Sequence, residues 1–188
     1  MIFNKTKIGG AWIIELEPRV DERGFFMRTY DKDIFAEHGL PTDWAQENQA
    51  FSKAKGTIRG LHFLYPPKTE TKLIQMAEGE AFWVFLDVRK SSPTFGKWDS
   101  IILSAEKNHM LLLPRGIANG ICTLRDNCRV LYHMDNEYDD SAKGEFKWDD
   151  PELGIPWPIK NPTNISTRDR NAGSFKEFLI KSGGGLEI

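Results

Sequence analysis

Short apolar runs separated by turn signals constrain the fold of this chain more than any other feature of its sequence. Each run is rich in Ile, Val, Leu, Phe or Trp, and stretches such as "AEGE", "SSPTFG" and "RDN" separate neighbouring runs. Regularly spaced strands joined by tight turns are typical of an antiparallel sandwich or barrel, not of alternating βαβ units. The runs are "AWIIELEP", "GTIRGLHFL", "TKLIQM", "AFWVFLDVR", "WDSIILS", "HMLLLP" and "CRVLYHM". We therefore predict a mainly β chain with a few short helices.

The first predicted helix lies in "DKDIFAEHG". Asp31 is a suitable N-cap, because its carboxylate can accept hydrogen bonds from the first free backbone N–H groups. Ile34 and Phe35 supply an apolar face, and Gly39 is typical of the residue that follows a helix.

The second predicted helix lies in "SFKEFLIKSG" near the C-terminal end. Ser174 and Glu177 have the spacing of a capping box, in which each side chain bonds the backbone of the other residue. Phe175, Phe178 and Leu179 recur at helical spacing and predict an apolar face that packs on the strands.

Length and composition suit one domain. The chain has 188 residues, of which 40% are hydrophobic, and this is enough to enclose a sizeable core. We assign residues 1–188 to a single domain, with 182–188 ("SGGGLEI") interpreted as a tail or expression artefact outside the fold.

The charge and the cysteine content limit which binding partners and which cellular compartment the sequence favours. The formal net charge of -2 gives no general reason to expect nucleic acid or an anionic membrane as a partner. No apolar run reaches transmembrane length, and "MIFNKTKIGG" lacks the apolar centre of a signal peptide. Cys122 and Cys128 could pair, but two cysteines alone favour buried thiols of a reducing compartment. We expect a soluble, cytoplasmic protein.

The run "TIRGLHFL" combines a strand pattern with an imidazole and a guanidinium. Strict alternation would place Gly60 and His62 on one face and Arg59 on the other. Gly60 would leave open space beside His62, which suits a bound ligand. An isolated histidine of this kind is often a core residue with one backbone bond. The clustering of His62 with Arg59 and the nearby Lys72 favours a functional role.

A tyrosine in "CRVLYHM" is a second candidate. Alternation places Val130, Tyr132 and Met134 on one face of this strand, with Leu131 and His133 on the other. A tyrosine in a strand is more often a packing residue. It becomes chemically interesting opposite a base, because one group can then remove a proton while the other donates one.

Several classes of site have no support in the sequence. The four histidines, His38, His62, His109 and His133, contain no close His-x-His pair, and the cysteine spacing matches no zinc pattern, so no metal site is predicted. Neither standard glycine-rich phosphate loop nor a nucleophile elbow is present. Acid–base chemistry without a cofactor remains.

Three arginines are candidates for holding phosphate. Arg23, Arg59 and Arg115 each carry the planar guanidinium that can bind phosphate oxygens through two parallel hydrogen bonds. Each arginine taken alone is more often a solvated surface charge.

Taken together, the motifs resemble one family. The segments "RVDERGFF", "QENQAFSKAKGTIRGLHF", "PPKTETKL", "DVRKSSPTFGKW", "LPRGIANG", "WDDPELGIPWP" and "STRDRNAG" occur in the order seen in the dTDP-4-dehydrorhamnose 3,5-epimerase family. The resemblance runs from about residue 10 to residue 175. It implies a cupin-like antiparallel β-barrel (jelly roll), a homodimer that exchanges N-terminal strands around 10–18, and catalysis with neither metal nor cofactor.

The resemblance also implies catalytic roles. His62 matches the base that takes a proton from the carbon next to the 4-keto group of a nucleotide-linked sugar. Asp169 matches the carboxylate that orients His62, and Tyr132 matches the acid that returns a proton from the opposite face. Lys72 matches the cation beside the developing enolate oxygen.

The remaining implied residues bind the nucleoside diphosphate and the sugar. The resemblance points to Arg23, Phe26, Gln46, Asn48, Arg59, Asn119 and Tyr138, with the Arg23 segment offered across a dimer interface.

Four positions depart from the family pattern. Asn119 replaces a pocket histidine, Arg28 stands where a glutamate is common, and Leu64 and Glu70 occupy positions often held by glutamine. The departures leave open a single-centre epimerase, acting at C3 or C5 alone, or an enzyme for a GDP- or CDP-linked sugar. A non-catalytic barrel that binds nucleotide sugars is a further alternative.

Overall fold

Two six-stranded sheets facing each other form the body of the protein. The computed structural model describes residues 1–162 and 164–188. The first sheet has the strand order β1-β2-β10-β7-β12-β5, and the second has the order β13-β6-β11-β8-β9 with the short β14 parallel to β6. The other pairings within these two sheets are antiparallel. A separate two-stranded hairpin is formed by β3 and β4. The predicted mainly β fold with few short helices is confirmed.

The strands are β1 (Ile2–Lys5), β2 (Trp12–Glu15), β3 (Arg19–Asp21), β4 (Gly24–Phe26), β5 (Gln46–Ser52), β6 (Thr57–Leu64), β7 (Lys72–Glu78), β8 (Glu80–Asp87), β9 (Trp98–Ser104), β10 (His109–Leu113), β11 (Ile117–Thr123), β12 (Cys128–Met134), β13 (Lys143–Glu145) and β14 (Asn164–Ile165). The helices are α1 (Lys32–Glu37), α2 (Thr167–Arg170) and α3 (Phe175–Ser182). All seven predicted runs contain a strand. The polar β5 and the Gly- and Asn-containing β11 were not predicted, because neither run has the apolar signal of a buried strand.

Apolar side chains fill three layers. A central cluster between the sheets includes Ile74, Phe85 and Leu111, all at most 1% exposed. The outer face of the second sheet packs on α3 through Phe63, Phe178 and their neighbours. The outer face of the first sheet packs in the same way on α1. Because both sheets are covered outside as well as inside, their strands read as nearly continuous apolar runs.

Both predicted helices form with the predicted caps. The Asp31 carboxylate accepts from the backbone N–H groups of Asp33 and Ile34 at the start of α1. The capping box of Ser174 and Glu177 is complete at the start of α3. N-caps of this kind contribute about 1 kcal/mol each, so local sequence signals suffice to place these two short helices.

The interpretation of 182–188 as a segment outside the fold is wrong. Leu186 is 3% exposed and belongs to the apolar layer beneath α3. Its backbone donates to the carbonyl of Val88 and accepts from the N–H of Lys90. The glycines before Leu186 lack the apolar signal of a packed segment, and only the fold brings Leu186 over the second sheet.

The predicted alternation of β6 is wrong at Gly60. In the β6–β11 register, Asn119 pairs with His62 and Ile121 pairs with Arg59. Two steps along β11 therefore correspond to three steps along β6. The extra residue is a β-bulge, and it moves Arg59 to the same face as His62.

The predicted open space at Gly60 does not exist either. Gly60 has φ +110°, and a Cβ built on it would lie 2.6 Å from the backbone oxygen of Asn119. The glycine is therefore required for the close approach of two strands, not for a ligand.

We expect Gly60→Ala to be strongly destabilising. The unfavourable φ costs about 1–3 kcal/mol, and the collision with Asn119 adds overpacking of about 1–3 kcal/mol. Gly96→Ala is the matched control, since Gly96 has φ +72° but nothing within 4 Å of the added Cβ. Chemical denaturation of both variants measures the difference. Equal losses of unfolding free energy would show that the contact with β11 is unimportant.

Candidate active site

A cavity of about 780 Å³ opens between the two sheets and collects most of the predicted site residues. Strands β5, β7 and β12 of the first sheet form one wall, and β6 and β13 of the second sheet form the other together with α2. The predicted residues that line it are His62, Lys72, Tyr132, Asp169, Gln46, Asn48, Arg59 and Tyr138. Eight residues distant in sequence thus share one cavity.

The imidazole of His62 is bonded to a buried carboxylate. Its Nε2 lies 2.5 Å from Oδ1 of Asp169, which is 4% exposed. Asp169 lies in the first turn of α2, where its N–H donates to the capping hydroxyl of Ser166 at 3.0 Å. The short α2 therefore places the Asp169 carboxylate against β6, although Asp169 and His62 are 107 residues apart in the sequence.

The balance of burial and hydrogen bonding sets the charge state of Asp169. Burial by itself raises the pKa of this carboxyl, but the hydrogen bond and charge of His62 outweigh it, helped by Ser166 and the backbone of Gly60. The net pKa of Asp169 lies below its ordinary value of 3.8. An ionised Asp169 beside His62 stabilises an imidazolium when His62 takes up a proton.

Tyr132 and Lys72 lie on the wall that faces His62. They belong to the neighbouring strands β12 and β7 of the first sheet, whereas His62 belongs to the second. The ammonium of Lys72 lies 5.9 Å from the centroid of the Tyr132 ring. The alternation predicted for β12 holds, because Tyr132 and Met134 line the cavity and His133 instead pairs with Glu47 at 3.0 Å. An imidazole and a phenol therefore lie on opposite walls.

Hydrogen bonds to neighbouring groups hold two of the polar side chains at the edge of the cavity. The guanidinium of Arg59 donates to the Ser52 hydroxyl at 3.1 Å and to the Phe51 carbonyl at 3.0 Å. The Gln46 side chain accepts from the backbone N–H of Tyr138 at 3.2 Å. These contacts orient the side chains that the sequence predicts for nucleotide binding.

Asn119 is buried beside His62, at 8% exposed. It pairs with His62 in the β11–β6 register, and its amide donates to the His62 carbonyl at 3.4 Å. It lines a recess of about 110 Å³ with Trp83, Val130 and Tyr132. Asn119, at the position where the family pattern has a histidine, is therefore in direct contact with the strand that carries His62.

Three predicted arginine and aromatic residues are not brought to the cavity of their own chain. Arg23 and Phe26 lie on the exposed β3–β4 hairpin, where Arg23 pairs with Asp21 at 2.6 Å. Arg115 pairs with Asp135 at 3.2 Å and does not line the cavity. The hypothesis that Arg115 holds phosphate is therefore not supported by its position.

Comparison with known proteins identifies the family. The profile of the dTDP-4-dehydrorhamnose 3,5-epimerase family matches residues 5–177. The chain belongs to this family. A dTDP-4-dehydrorhamnose 3,5-epimerase of Methanothermobacter thermautotrophicus is 40% identical over 177 residues, 93% of this chain and 95% of that protein.

Solved structures of epimerases share the fold. The dTDP-4-dehydrorhamnose 3,5-epimerase of Bacillus anthracis, solved with TDP and PPi bound, has TM-score 0.90 and 39% identity, covering 93% of this chain and 99% of that one. A 3'-monoepimerase of Streptomyces bikiniensis, in complex with dTDP-quinovose, has TM-score 0.88 and 30% identity, covering 97% and 91%. The predicted isomerase class and the cupin-like β fold of the family are confirmed.

Sequence reasoning missed a second ion pair beside the His62–Asp169 pair. Glu145 lies opposite His62 in the β13–β6 register, and its carboxylate bonds the guanidinium of Arg168 on α2. One ligand atom each from His62, Glu145 and Asp169 lies within 4.8 Å of the others. Because both carboxylates already have basic partners, the arrangement favours an acid–base pair held in place. Pairing across β13 carries no local sequence signal.

None of the helices in the described ranges is long and apolar enough to span a membrane.

Cys122 and Cys128 are free and buried, as predicted. Burial raises the pKa of the Cys122 thiol to about 11, so this thiol stays protonated at neutral pH.

We expect the stabilising effect of Asp169 to depend on pH. Because the pKa of Asp169 is lowered by folding, the carboxylate stabilises the fold above its ordinary pKa of 3.8, and the effect is lost as pH falls through the lower native pKa. Asp169→Asn should cost about 1.5–3 kcal/mol at neutral pH, and the gap to wild type should narrow in acid.

Urea denaturation between neutral pH and acid measures this gap. Asp149→Asn is the control, since Asp149 is an exposed carboxylate 3.5 Å from Lys147. A gap for Asp169→Asn that widens on acidification would contradict the assignment.

Proposed function

We propose that this protein epimerises a nucleoside-diphosphate-linked 4-keto-6-deoxy sugar by proton abstraction and reprotonation, without a cofactor. The observation that carries the proposal is the placement of His62 with Asp169 on one wall of the cavity and Tyr132 with Lys72 on the other. The standard substrate of the resemblance, dTDP-4-dehydro-6-deoxyglucose with inversion at C3 and C5, is the leading form of the proposal.

The geometry suits inversion of a carbon next to a ketone. Such a carbon loses a proton only if the charge that moves onto the ketone oxygen is stabilised, and the Lys72 ammonium serves this purpose where water is scarce. His62 removes the proton, and Asp169 stabilises the resulting imidazolium. The hydroxyl of Tyr132 donates a proton from the opposite face. Each acid or base of this kind contributes about 100- to 10,000-fold in rate.

The nucleotide is assigned to the edge of the same cavity. Arg59 supplies a charged donor for the diphosphate, and Gln46, Asn48 and Tyr138 supply neutral polar and aromatic groups around it. Asn119 is assigned to the sugar, because it lies in the recess next to Tyr132. An asparagine there donates and accepts hydrogen bonds but does not titrate, in contrast to the histidine that it replaces.

A homodimer supplies the missing nucleotide contacts. The β3–β4 hairpin pairs with no other strand in the described ranges, and it exposes Val20, Phe25 and Phe26 at 76%, 62% and 67%. Clustered exposed apolar residues favour a protein interface. We propose that the hairpin docks on a second copy and offers Arg23 and Phe26 to the partner's cavity.

The strand predicted for exchange is engaged within its own chain. In β2, Ile14 pairs with Phe3 of β1 on one edge and with Met110 of β10 on the other. The hairpin, and not segment 10–18 as predicted, is therefore the element that the proposal assigns to exchange.

A single-centre epimerase is the second candidate. Asn119 departs from the family pattern in direct contact with the His62 strand, and a solved structural relative is itself named a 3'-monoepimerase. An enzyme for a GDP- or CDP-linked sugar shares this chemistry. A binding protein without catalysis is less well supported, because all four catalytic groups are retained in one cavity. A cytoplasmic location accords with the buried free thiols.

We expect His62→Asn to abolish proton exchange at every centre, and Tyr132→Phe to reduce net inversion more than exchange. Without the phenol, His62 can still remove a proton and return one to the same face. Incubation of dTDP-4-dehydro-6-deoxyglucose in deuterated water, followed by NMR at C3 and C5, measures both quantities. His133→Asn is the control on the other face of β12. Near wild-type exchange in the His62 variant, or equal loss of exchange and inversion in the Tyr132 variant, would show that the roles are misassigned.

We expect Phe25→Asp to weaken the dimer and to raise KM for the nucleotide sugar, because a charge cannot be buried unpaired at the interface. Ile180→Asp is the matched control, since Ile180 is 75% exposed on α3. Light scattering across micromolar concentrations gives the oligomeric state. A wild-type monomer, or an intact Phe25→Asp dimer, would contradict the proposed interface.

A further inference from the structure

Glu70 is a buried carboxylate inside the catalytic cavity for which the proposed mechanism has no use. The residue is 9% exposed, its side chain 6%, and it lines the same cavity as His62, Lys72 and Tyr132. Its Oε1 accepts from the ammonium of Lys72 at 2.8 Å. Its Oε2 is buried and has no hydrogen-bond partner in the described part of the chain. A buried carboxylate oxygen without a donor is costly, so this atom is an acceptor that a ligand could satisfy.

The backbone around Glu70 holds the pair side by side. Glu70 lies two positions before Lys72, the first residue of β7, and the ion pair shows that both side chains lie on the same side of the segment. Between them, the N–H of the buried Thr71 donates to Asp135 at 2.7 Å and anchors the segment. The Lys72 side chain is 19% exposed, so both members of the pair have little freedom to move away. The cavity therefore presents an ammonium donor and a carboxylate acceptor next to each other.

This arrangement matches a ketone with a neighbouring hydroxyl group. The proposed 4-keto sugar carries an acceptor oxygen at C4 and a donor hydroxyl at C3, while its other neighbouring carbon, C5, carries a methyl group. If Lys72 faces the C4 oxygen, the free oxygen of Glu70 is suited to accept from the vicinal hydroxyl. We propose that the Lys72–Glu70 pair recognises this α-hydroxyketone unit and that Glu70 determines specificity for a hydroxyl at C3. The inference rests on the proposed function and extends it.

Glu70 then discriminates through its second oxygen, Oε2, which only some substrates provide with a hydrogen-bond donor. A substrate with the C3 hydroxyl completes the coordination of Oε2, whereas a 3-deoxy sugar leaves it buried without a donor. Sites that bond a substrate hydroxyl reject analogues lacking it, because the buried partner is then left unpaired. A glutamine, the residue common at this position in the family pattern, has one carbonyl oxygen. It therefore cannot accept hydrogen bonds from both Lys72 and a substrate hydroxyl through two separate oxygens, as a carboxylate can.

The test compares deuterium exchange at C5, a position present in both substrates. Wild type should exchange C5 of dTDP-4-dehydro-6-deoxyglucose with kcat/KM about 10- to 100-fold above that of its 3-deoxy analogue, the effect of losing one hydrogen bond to a charged group. In Glu70→Ala this ratio should fall to about threefold or less, and Glu70→Gln should lie between the two. Glu47→Gln is the control for loss of a carboxylate, since Glu47 pairs with His133 away from the cavity, and its ratio should equal that of wild type.

The ratio of the two kcat/KM values distinguishes recognition of the C3 hydroxyl by Glu70 from a role in which Glu70 only positions Lys72. If Glu70 only orients Lys72, Glu70→Ala slows both substrates equally and leaves the ratio unchanged, and this overturns the inference. A wild type that exchanges both substrates equally well also overturns it. Absence of exchange at both C3 and C5 of dTDP-4-dehydro-6-deoxyglucose in wild type instead overturns the proposed function, and if wild type exchanges C3 alone, the same ratio is measured at C3, which carries exchangeable hydrogen in both substrates. Calorimetric titration with dTDP verifies the folded site in each variant, and if Glu70→Ala does not fold, the Glu70→Gln ratio decides.

Discussion

The site depends on the close approach of two strands at Gly60. Here the backbone of β6 lies so near β11 that no Cβ could be accommodated, and the β-bulge adds one residue to β6. Without that extra residue, Arg59 and His62 would point to opposite faces. The bulge therefore places the guanidinium of Arg59 and the imidazole of His62 in one cavity. Bulges beside active sites commonly re-aim a side chain in this way.

Paired charges hold the remaining groups of the cavity in position. Asp169 is bonded to His62, Glu145 to Arg168 and Glu70 to Lys72, so each acidic group has a basic partner. Removing Lys72 or His62 is costly because it leaves the buried carboxylate of Glu70 or Asp169 without a partner. The pairs thus fix α2 against β6 and the Lys72 ammonium near Tyr132. A preorganised site of this kind needs little rearrangement when charge develops on a substrate.

The apolar layers explain why this polar cavity can exist in a small fold. The central core fills the space between the sheets, while the layers under α1 and α3 cover their outer faces. Because burial in three layers supplies the main driving force for folding, one end of the barrel is free to carry charged residues. The exposed β3–β4 hairpin falls outside all three layers, which is consistent with an element that is completed by a second copy.

The sequence by itself determined the seven apolar strands, the two capped helices and the free thiols, because each depends on local propensity, periodicity or capping. The family resemblance of its motifs also predicted a catalytic set of His62, Tyr132, Lys72 and Asp169, and these four residues line one cavity. Only the tertiary structure decided the face of Arg59, the burial of Leu186 and the pairs that Glu70 and Glu145 form. These features depend on strand register and on contacts between distant segments. A bulge inverts the alternation beyond it, and no local pattern specifies which backbone will lie against a glycine.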